Sequence, residues 1–184
     1  MIGIRRTNKQ NQKLKAQLLL GFLVLWTGCS APREIINFTG NTMGTTFAIK
    51  IISAKSFNSY QKLEIGIDSI LEKVNQQMSI WDPNSEISKF NRNKSIDPIS
   101  VSSQLFEVVE RAISVSEKTN GAFDITVYDL MGLWGFGPDP KSGIPTDEEI
   151  KIVLTNTGWE QIKLIDNSIK KLNPNVKIDL NAIA

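Results

Sequence analysis

The sequence predicts an α+β fold, with a mixed sheet packed against amphipathic helices. Three observations carry that expectation. "TTFAIKII" (45–52) alternates and is rich in β-formers, as a half-buried strand requires. "FNSYQKLEIGIDSILEKVNQQM" (57–78) repeats Leu63, Ile67, Ile70, Leu71, Val74 and Met78 at spacings of three and four, which makes one apolar helical stripe. Strand and helix signals then mix without the strict alternation of a parallel sheet.

The remaining elements follow in order. Asp82-Pro83 breaks the first helix, and Ser85 is placed to cap a short turn after it. "SSQLFEVVERAISVSEKTNG" (102–121) is a second amphipathic helix with Leu105, Val108, Val109, Ala112 and Ile113 inward, and Asn120-Gly121 gives it a left-handed stop. "PTDEEIKIVLTNTGW" (145–159) is a third. Thr146 is its N-cap, Glu149 completes a capping box, Asp147 and Glu148 suit its N-terminus, and Gly158 closes it. "QIKLIDNSIKKLN" (161–173) reads as a hairpin about Asp166-Asn167. "VKIDLNAIA" (176–184) reads as a strand running into the start of a helix. No repeats interrupt the pattern.

Composition excludes several chemistries. The 184 residues include no histidine and one cysteine. Ser-His-Asp and Cys-His catalysis, HExxH zinc sites, intrachain disulfides and cysteine-based zinc sites are therefore out. Carboxylates, hydroxyls, lysines, backbone groups or an oxygen-ligated metal must do the work.

The net charge of +2 misleads. Residues 1–17 hold five of the 21 basic residues and no acid; "LLLGFLVLW" (18–26) and "TGCS" (27–30) follow. That is a basic region, a short apolar region and a small-residue cleavage site. Leu25-Trp26-Thr27-Gly28-Cys29 resembles a bacterial lipobox, with Trp26 where Leu is usual. Cys29 would then be the lipidated first residue, 29–36 a linker, and 37–184 the folded domain. Such an anchor would hold the protein on the extracytoplasmic side of a bacterial membrane. Ser30 in place of Asp leaves the inner and the outer membrane open. Without residues 1–28, 16 basic residues face 19 acidic ones, a net −3. A nucleic-acid partner has no electrostatic support.

Four stretches could carry chemistry. "GAFDITVYDLMGLWGFGP" (121–138) interleaves glycines with Trp134 and Phe136. Its glycines could let backbone approach a flat ligand, its rings could stack, and Asp124 and Asp129 could accept hydrogen bonds. Equally, it could be a Gly-rich turn whose aromatics plug the core. Trp81, in "MSIWDPNSEISKFN" (78–91), is a stacking platform or a plug over a helix end. Met43-Gly44 in "NTMGTTF" (41–47) stands before a strand, and Met43 suits core or cofactor contact. Asp179 and Asn181 in "IDLNAIA" (178–184) place a carboxylate beside a helix N-terminus, which suits a metal–phosphate site or a plain cap.

In this order and at these spacings, "TMGTTF", "MSIWDPNSEISKFN", "GAFDITV", "LWGFGP" and "IDLNAIA" resemble the ApbE family of FAD:protein FMN transferases, N-terminal portion, from about Asn37 onward. The resemblance implies an enzyme that binds FAD and Mg²⁺. It would transfer FMN through a phosphoester to a Thr or Ser of a target flavoprotein, releasing AMP. Phosphoryl-type transfer needs in-line positioning and a cation more than a histidine. The resemblance also implies site residues. Met43, Trp81 (where the family commonly has Tyr), Ala122, Phe123, Asp124 and Asp179 would contact FAD. Ala182 would give a metal its backbone carbonyl, and no catalytic residue is named. Trp134–Pro138 would wall the pocket. Family members run to about twice the mature length, with further metal ligands beyond "IDLNAIA". The 184-residue chain is therefore expected to be a fragment, with a non-catalytic FAD-binding lipoprotein or an inactive remnant as the alternative.

Overall fold

The computed structural model describes residues 33–42, 45–54 and 60–183. Residues 1–32, with Cys29 and the lipobox, and Met43-Gly44 lie outside them. Two units divide the chain. One contains the described residues 33–39 and 48–54 with Tyr60; the other contains 40–47 and everything from Gln61 onward.

In the first unit, the outer parts of strands β1 (Arg33–Thr42) and β2 (Thr45–Ala54) pair in a two-stranded sheet. β1 begins at Arg33, inside the stretch expected to be a linker. Tyr60 Oη donates to Glu34 Oε2 at 3.2 Å.

The second unit holds the core. Here α1 (Tyr60–Met78) buries only its end: Met78 is buried and Val74 packs beside it, whereas Ile70 is exposed. The apolar stripe is thus present but enters the core through its last turn. Asn75 Nδ2 donates to Thr42 Oγ1 at 3.2 Å and ties that turn to the strand tip. Gly40 in that tip is needed for space, since a Cβ would lie 2.6 Å from the Phe47 ring.

Helix α2 (Glu86–Arg92) starts at Ser85, whose Oγ accepts from Ser88 N at 3.1 Å. Helix α3 (Ser103–Lys118) starts at Ser102, whose Oγ accepts from Leu105 N at 3.3 Å. The Glu86 carboxylate takes both the backbone N–H and the hydroxyl of Ser102, linking the two helix starts. Leu105, Val109 and Ala112 are fully enclosed, as the spacing predicts, with Val108 and Ile113 packed beside them. Asn120 and Gly121 stop α3 in left-handed conformations, φ 51° and 78°.

Strands β3 (Ile99–Ser100), β4 (Ile162–Ile165) and β5 (Ser168–Lys171) form an antiparallel sheet in the order β3-β5-β4. The β4–β5 turn falls at Asp166, φ 49°, where the hairpin is expected. Ile162 and Ile169 from this sheet join Leu105, Val109 and Ala112 of α3 in one core, with Ile87, Val176, Ile178 and Leu180. Burying such side chains contributes roughly 1.5–3 kcal/mol each.

Short helix α4 (Tyr128–Leu133) and helix α5 (Asp147–Leu154) complete the unit. The Thr146–Glu149 capping box is formed on α5. Residues 176–180 alternate buried and half-buried positions but join neither described sheet, and 181–183 form a turn, not a helix. Among the described residues no strand pairs with the one expected there. Its backbone instead bonds to the Asn91 side chain and to Ile125 O.

Candidate functional site

Two adjoining hollows, about 270 and 330 Å³, share Ile80, Tyr128, Pro138, Asp139 and Lys177 in the second unit. Together they form one cleft. One flank carries Trp81, Pro83 and Arg92; the other carries Asp129, Phe136 and Asp179.

The Trp81 flank is built by serines. Ser85, fully buried, donates its hydroxyl to Ser79 O at 2.7 Å while capping α2. Asp82 Oδ1 accepts from Asn84 N at 2.8 Å and closes the turn. Buried Ile80 anchors the loop, and its neighbour Trp81 is left 62% exposed at the cleft rim. The core-plug role is thereby excluded for Trp81.

The opposite flank begins at α4. Tyr128 packs on the core edge, and Lys177 Nζ lies 5.3 Å from its ring centroid. The same ammonium pairs with Asp129 Oδ1 at 2.7 Å. Burial raises the Tyr128 phenol above its usual range, and the charges of Asp139, Asp129 and Asp179 push it further the same way, against the pull of Arg92. The phenol therefore stays a hydrogen-bond donor at neutral pH.

Asp179 faces the cleft from the 176–180 segment. Burial raises its carboxyl, and the Asn181 backbone N–H, 2.8 Å from Oδ1, opposes that rise. Its own N–H donates to Ile125 O at 2.7 Å.

The Gly-rich loop turns sharply after α4. Gly135 and Gly137 take φ of +88° and +89°. A Cβ on Gly137 would meet nothing within 4 Å, so its positive φ, not crowding by the protein, is what favours glycine there. Trp134 and Phe136 are 51% and 59% exposed, so they are not core plugs. Phe136, Gly137 and Pro138 do wall the cleft.

The cleft thus brings together Trp81 and Asp179 from distant motifs. Ala122, Phe123 and Asp124 do not line it. Ala122 is exposed and Phe123 packs on the core. The Asp124 carboxylate is taken up by its own surroundings: Oδ1 accepts from Thr126 N at 2.8 Å and Thr126 Oγ1 at 2.6 Å, and Oδ2 from Trp159 N at 2.9 Å. Ala182 lies exposed in the 181–183 turn. Among the described residues no three acidic side chains gather to hold a metal ion.

Sequence reasoning missed Tyr128, Arg92, Asp139 and Lys177. A signal existed for Lys177: it precedes Asp179 by two in an extended segment, so both side chains share a face.

The family model that matches the chain, over residues 43–184, is described as the ApbE family. The chain belongs to this family. A Vibrio cholerae protein named FAD:protein FMN transferase is 41% identical over 166 residues, covering 90% of this chain and 50% of that protein. A Haemophilus influenzae protein of the same name is 34% identical over 163 residues, covering 85% and 47%. The solved structure of the flavin transferase ApbE from Vibrio cholerae superposes with a TM-score of 0.78, covering 81% of this chain and 48% of that one at 41% identity. The apo form of the Pseudomonas stutzeri flavinyl transferase ApbE gives 0.77, with 83% and 49% covered at 27% identity. The chain spans about half the length of the curated relatives it matches.

Proposed function

We propose that the cleft binds FAD as substrate for FMN transfer to a Thr or Ser hydroxyl of a target flavoprotein. The observation that carries this reading is the pairing of two ring faces, Trp81 and Tyr128, with two cations, Arg92 and Lys177, around one cleft in an ApbE-family chain. Rings suit a flavin or an adenine, and cations suit a pyrophosphate.

In the transfer, the acceptor oxygen bonds to the phosphorus of the FMN moiety. The bridging P–O bond to AMP breaks, and the hydroxyl proton leaves with the AMP phosphate or to water. The chain's own residues would bind and orient: Trp81 and Tyr128 stack, Lys177 and Arg92 meet phosphate oxygens, and Asp179 accepts a hydrogen bond. Met43, Ala122, Phe123 and Asp124 belong to this reading as positions the resemblance adds.

A Mg²⁺ requirement belongs to it too. Ala182 offers one carbonyl, which is not a complete shell, and the described residues supply no acidic cluster to finish it. Lipidation at Cys29 and attachment to a bacterial membrane are the remaining parts of the proposal. They rest on the Leu25–Cys29 pattern.

The test incubates the chain with FAD, Mg²⁺ and an acceptor flavoprotein. AMP release together with flavin fluorescence fixed to the acceptor through denaturation is the expected result. FAD binding with no AMP release would leave a flavin-binding lipoprotein. Absence of flavin affinity would overturn the reading.

A further inference from the structure

Val176, Ile178 and Leu180 are fully buried, which turns the alternate residues Lys177 and Asp179 toward the cleft. Among the described residues no strand pairs with this buried segment, so its backbone N–H and C=O groups need other partners. Asn91 supplies both for Ile178. Its Nδ2 donates to Ile178 O at 2.8 Å and its Oδ1 accepts from Ile178 N at 2.8 Å. The amide's orientation follows, because one partner can only accept and the other can only donate. Asn91 is 5% exposed and borders the cleft on its Trp81 flank.

Asn91 is itself braced. Its carbonyl and that of Asn93 face Lys171 Nζ at 3.5 and 2.8 Å. Lys171 reaches there from β5, fully buried, with its ammonium 4.6 Å from the centroid of the Phe90 ring. A cation on the last carbonyls of a helix complements its dipole. A continuous chain of contacts therefore runs from β5 through the end of α2 to the residue before Asp179.

We infer that Asn91 is a positioning residue for the cleft: its amide stands in for a neighbouring strand and sets how far Asp179 reaches toward bound substrate, with Lys171 bracing the turn that carries it. Only the naming of that substrate as FAD rests on the proposed function.

The test is amide hydrogen exchange in Asn91→Ala, with Leu105 and Val109 in α3 reporting global opening. The diagnostic amide is Asp179, whose own partner, Ile125 O, is untouched by the substitution. Its exchange is expected to accelerate about tenfold or more beyond that of α3. Acceleration only in step with α3 would overturn the inference. Asn91→Asp keeps the acceptor for Ile178 N–H and removes the donor, and it serves if the alanine variant does not fold; wild-type exchange at Asp179 in a folded Asn91→Asp would also overturn it. FAD affinity is read in parallel and is expected to fall about tenfold in Asn91→Ala. Asn91→Ala/Asp179→Asn is expected to bind FAD no worse than Asp179→Asn alone, whereas additive losses would count against the inference. Local acceleration at Asp179 with FAD affinity unchanged would keep Asn91 as the positioning residue and sink the flavin role of Asp179.

Discussion

Lys177 Nζ stands 2.7 Å from Asp129 Oδ1 and 5.3 Å from the centroid of the Tyr128 ring. One cation thus joins α4 to the segment that carries Asp179, 48 residues away in sequence. Both partners of the ion pair are about a third exposed, so the pair itself contributes little, under about 1 kcal/mol. Lys177→Met should therefore leave the denaturation midpoint nearly unchanged and weaken FAD binding about tenfold, as loss of one charge-assisted phosphate contact does. Titration of flavin fluorescence checks this. Unchanged affinity would remove Lys177 from the substrate site.

Trp81 offers a cleaner separation of roles. A side chain 62% exposed has little packing to lose. Trp81→Ala is expected to change stability by no more than about 0.5 kcal/mol, as ordinary surface substitutions do. The same change should lower FAD affinity, with base-to-ring stacking worth roughly 1–3 kcal/mol. Trp81→Tyr should restore most of it. A variant that loses stability but keeps affinity would return Trp81 to a structural role.

For Asp124 the order is reversed. Its carboxylate takes two bonds from Thr126 and one from Trp159 N, and Thr126 Oγ1 in turn accepts from Gly158 N at 2.7 Å. This cluster ties the chain after α3 to the chain after α5. Asp124→Ala should cost about 2–3 kcal/mol, since hydrogen bonds to a charged group are among the stronger ones. Chemical denaturation measures it. A loss of FAD affinity at undiminished stability would instead place Asp124 against the substrate.

Local chemistry and long-range assembly differ in what can be read ahead of the fold. Caps and turns were legible because their chemistry is local: Thr146 with Glu149, Asn120-Gly121 and the Asp166 hairpin all lie where the residue types require. The α3 stripe was legible because its burial follows one period. Trp81 and Trp134 were ambiguous because an aromatic ring is equally at home in a core or on a cleft wall, and only the fold separates the two. Arg92 and Asp139 carry no local pattern at all; the cleft they share with Tyr128 is assembled from three separate segments. The 176–180 segment looked like a strand because alternation reports burial, and burial is real there. The hydrogen bonds at its centre go to the Asn91 side chain and the Ile125 carbonyl, which alternation does not report.

Glu149 should make helix α5 sensitive to acid. The Lys141 ammonium and then the Thr146 backbone N–H hold its carboxyl down at about 2, against an ordinary value of 4.5. A folded-state value below the unfolded one gives stability that is present above 4.5 and lost as pH falls toward 2. Glu149→Gln should flatten that part of the acid limb in circular dichroism. Thr146→Ala should cost about 1 kcal/mol at neutral pH, as loss of an N-cap does.

Lys171 should act in the opposite direction, at alkaline pH. It is fully enclosed, and no carboxylate stands within ion-pair distance of it among the described residues. Burial, then the charges of Lys94 and Lys177, lower its ammonium from 10.5 to about 8, while Asp129 opposes them. Between these two values the unfolded chain holds a proton that the folded chain has released. The unfolded state therefore binds more protons, and stability rises with pH across that interval. Tyr128 works the other way above 10, because its phenol is raised in the folded state, so the clean window is pH 8 to 10. The urea midpoint should climb through that window in the wild type and stay flat in Lys171→Met. The methionine fills similar volume but leaves the carbonyls of Asn91 and Asn93 without their donor, so its midpoint should be lower throughout. A wild-type midpoint that does not rise between pH 8 and 10 would mean that the folded protein keeps Lys171 fully protonated, with the helix-end carbonyls and the Phe90 ring offsetting the cost of its burial.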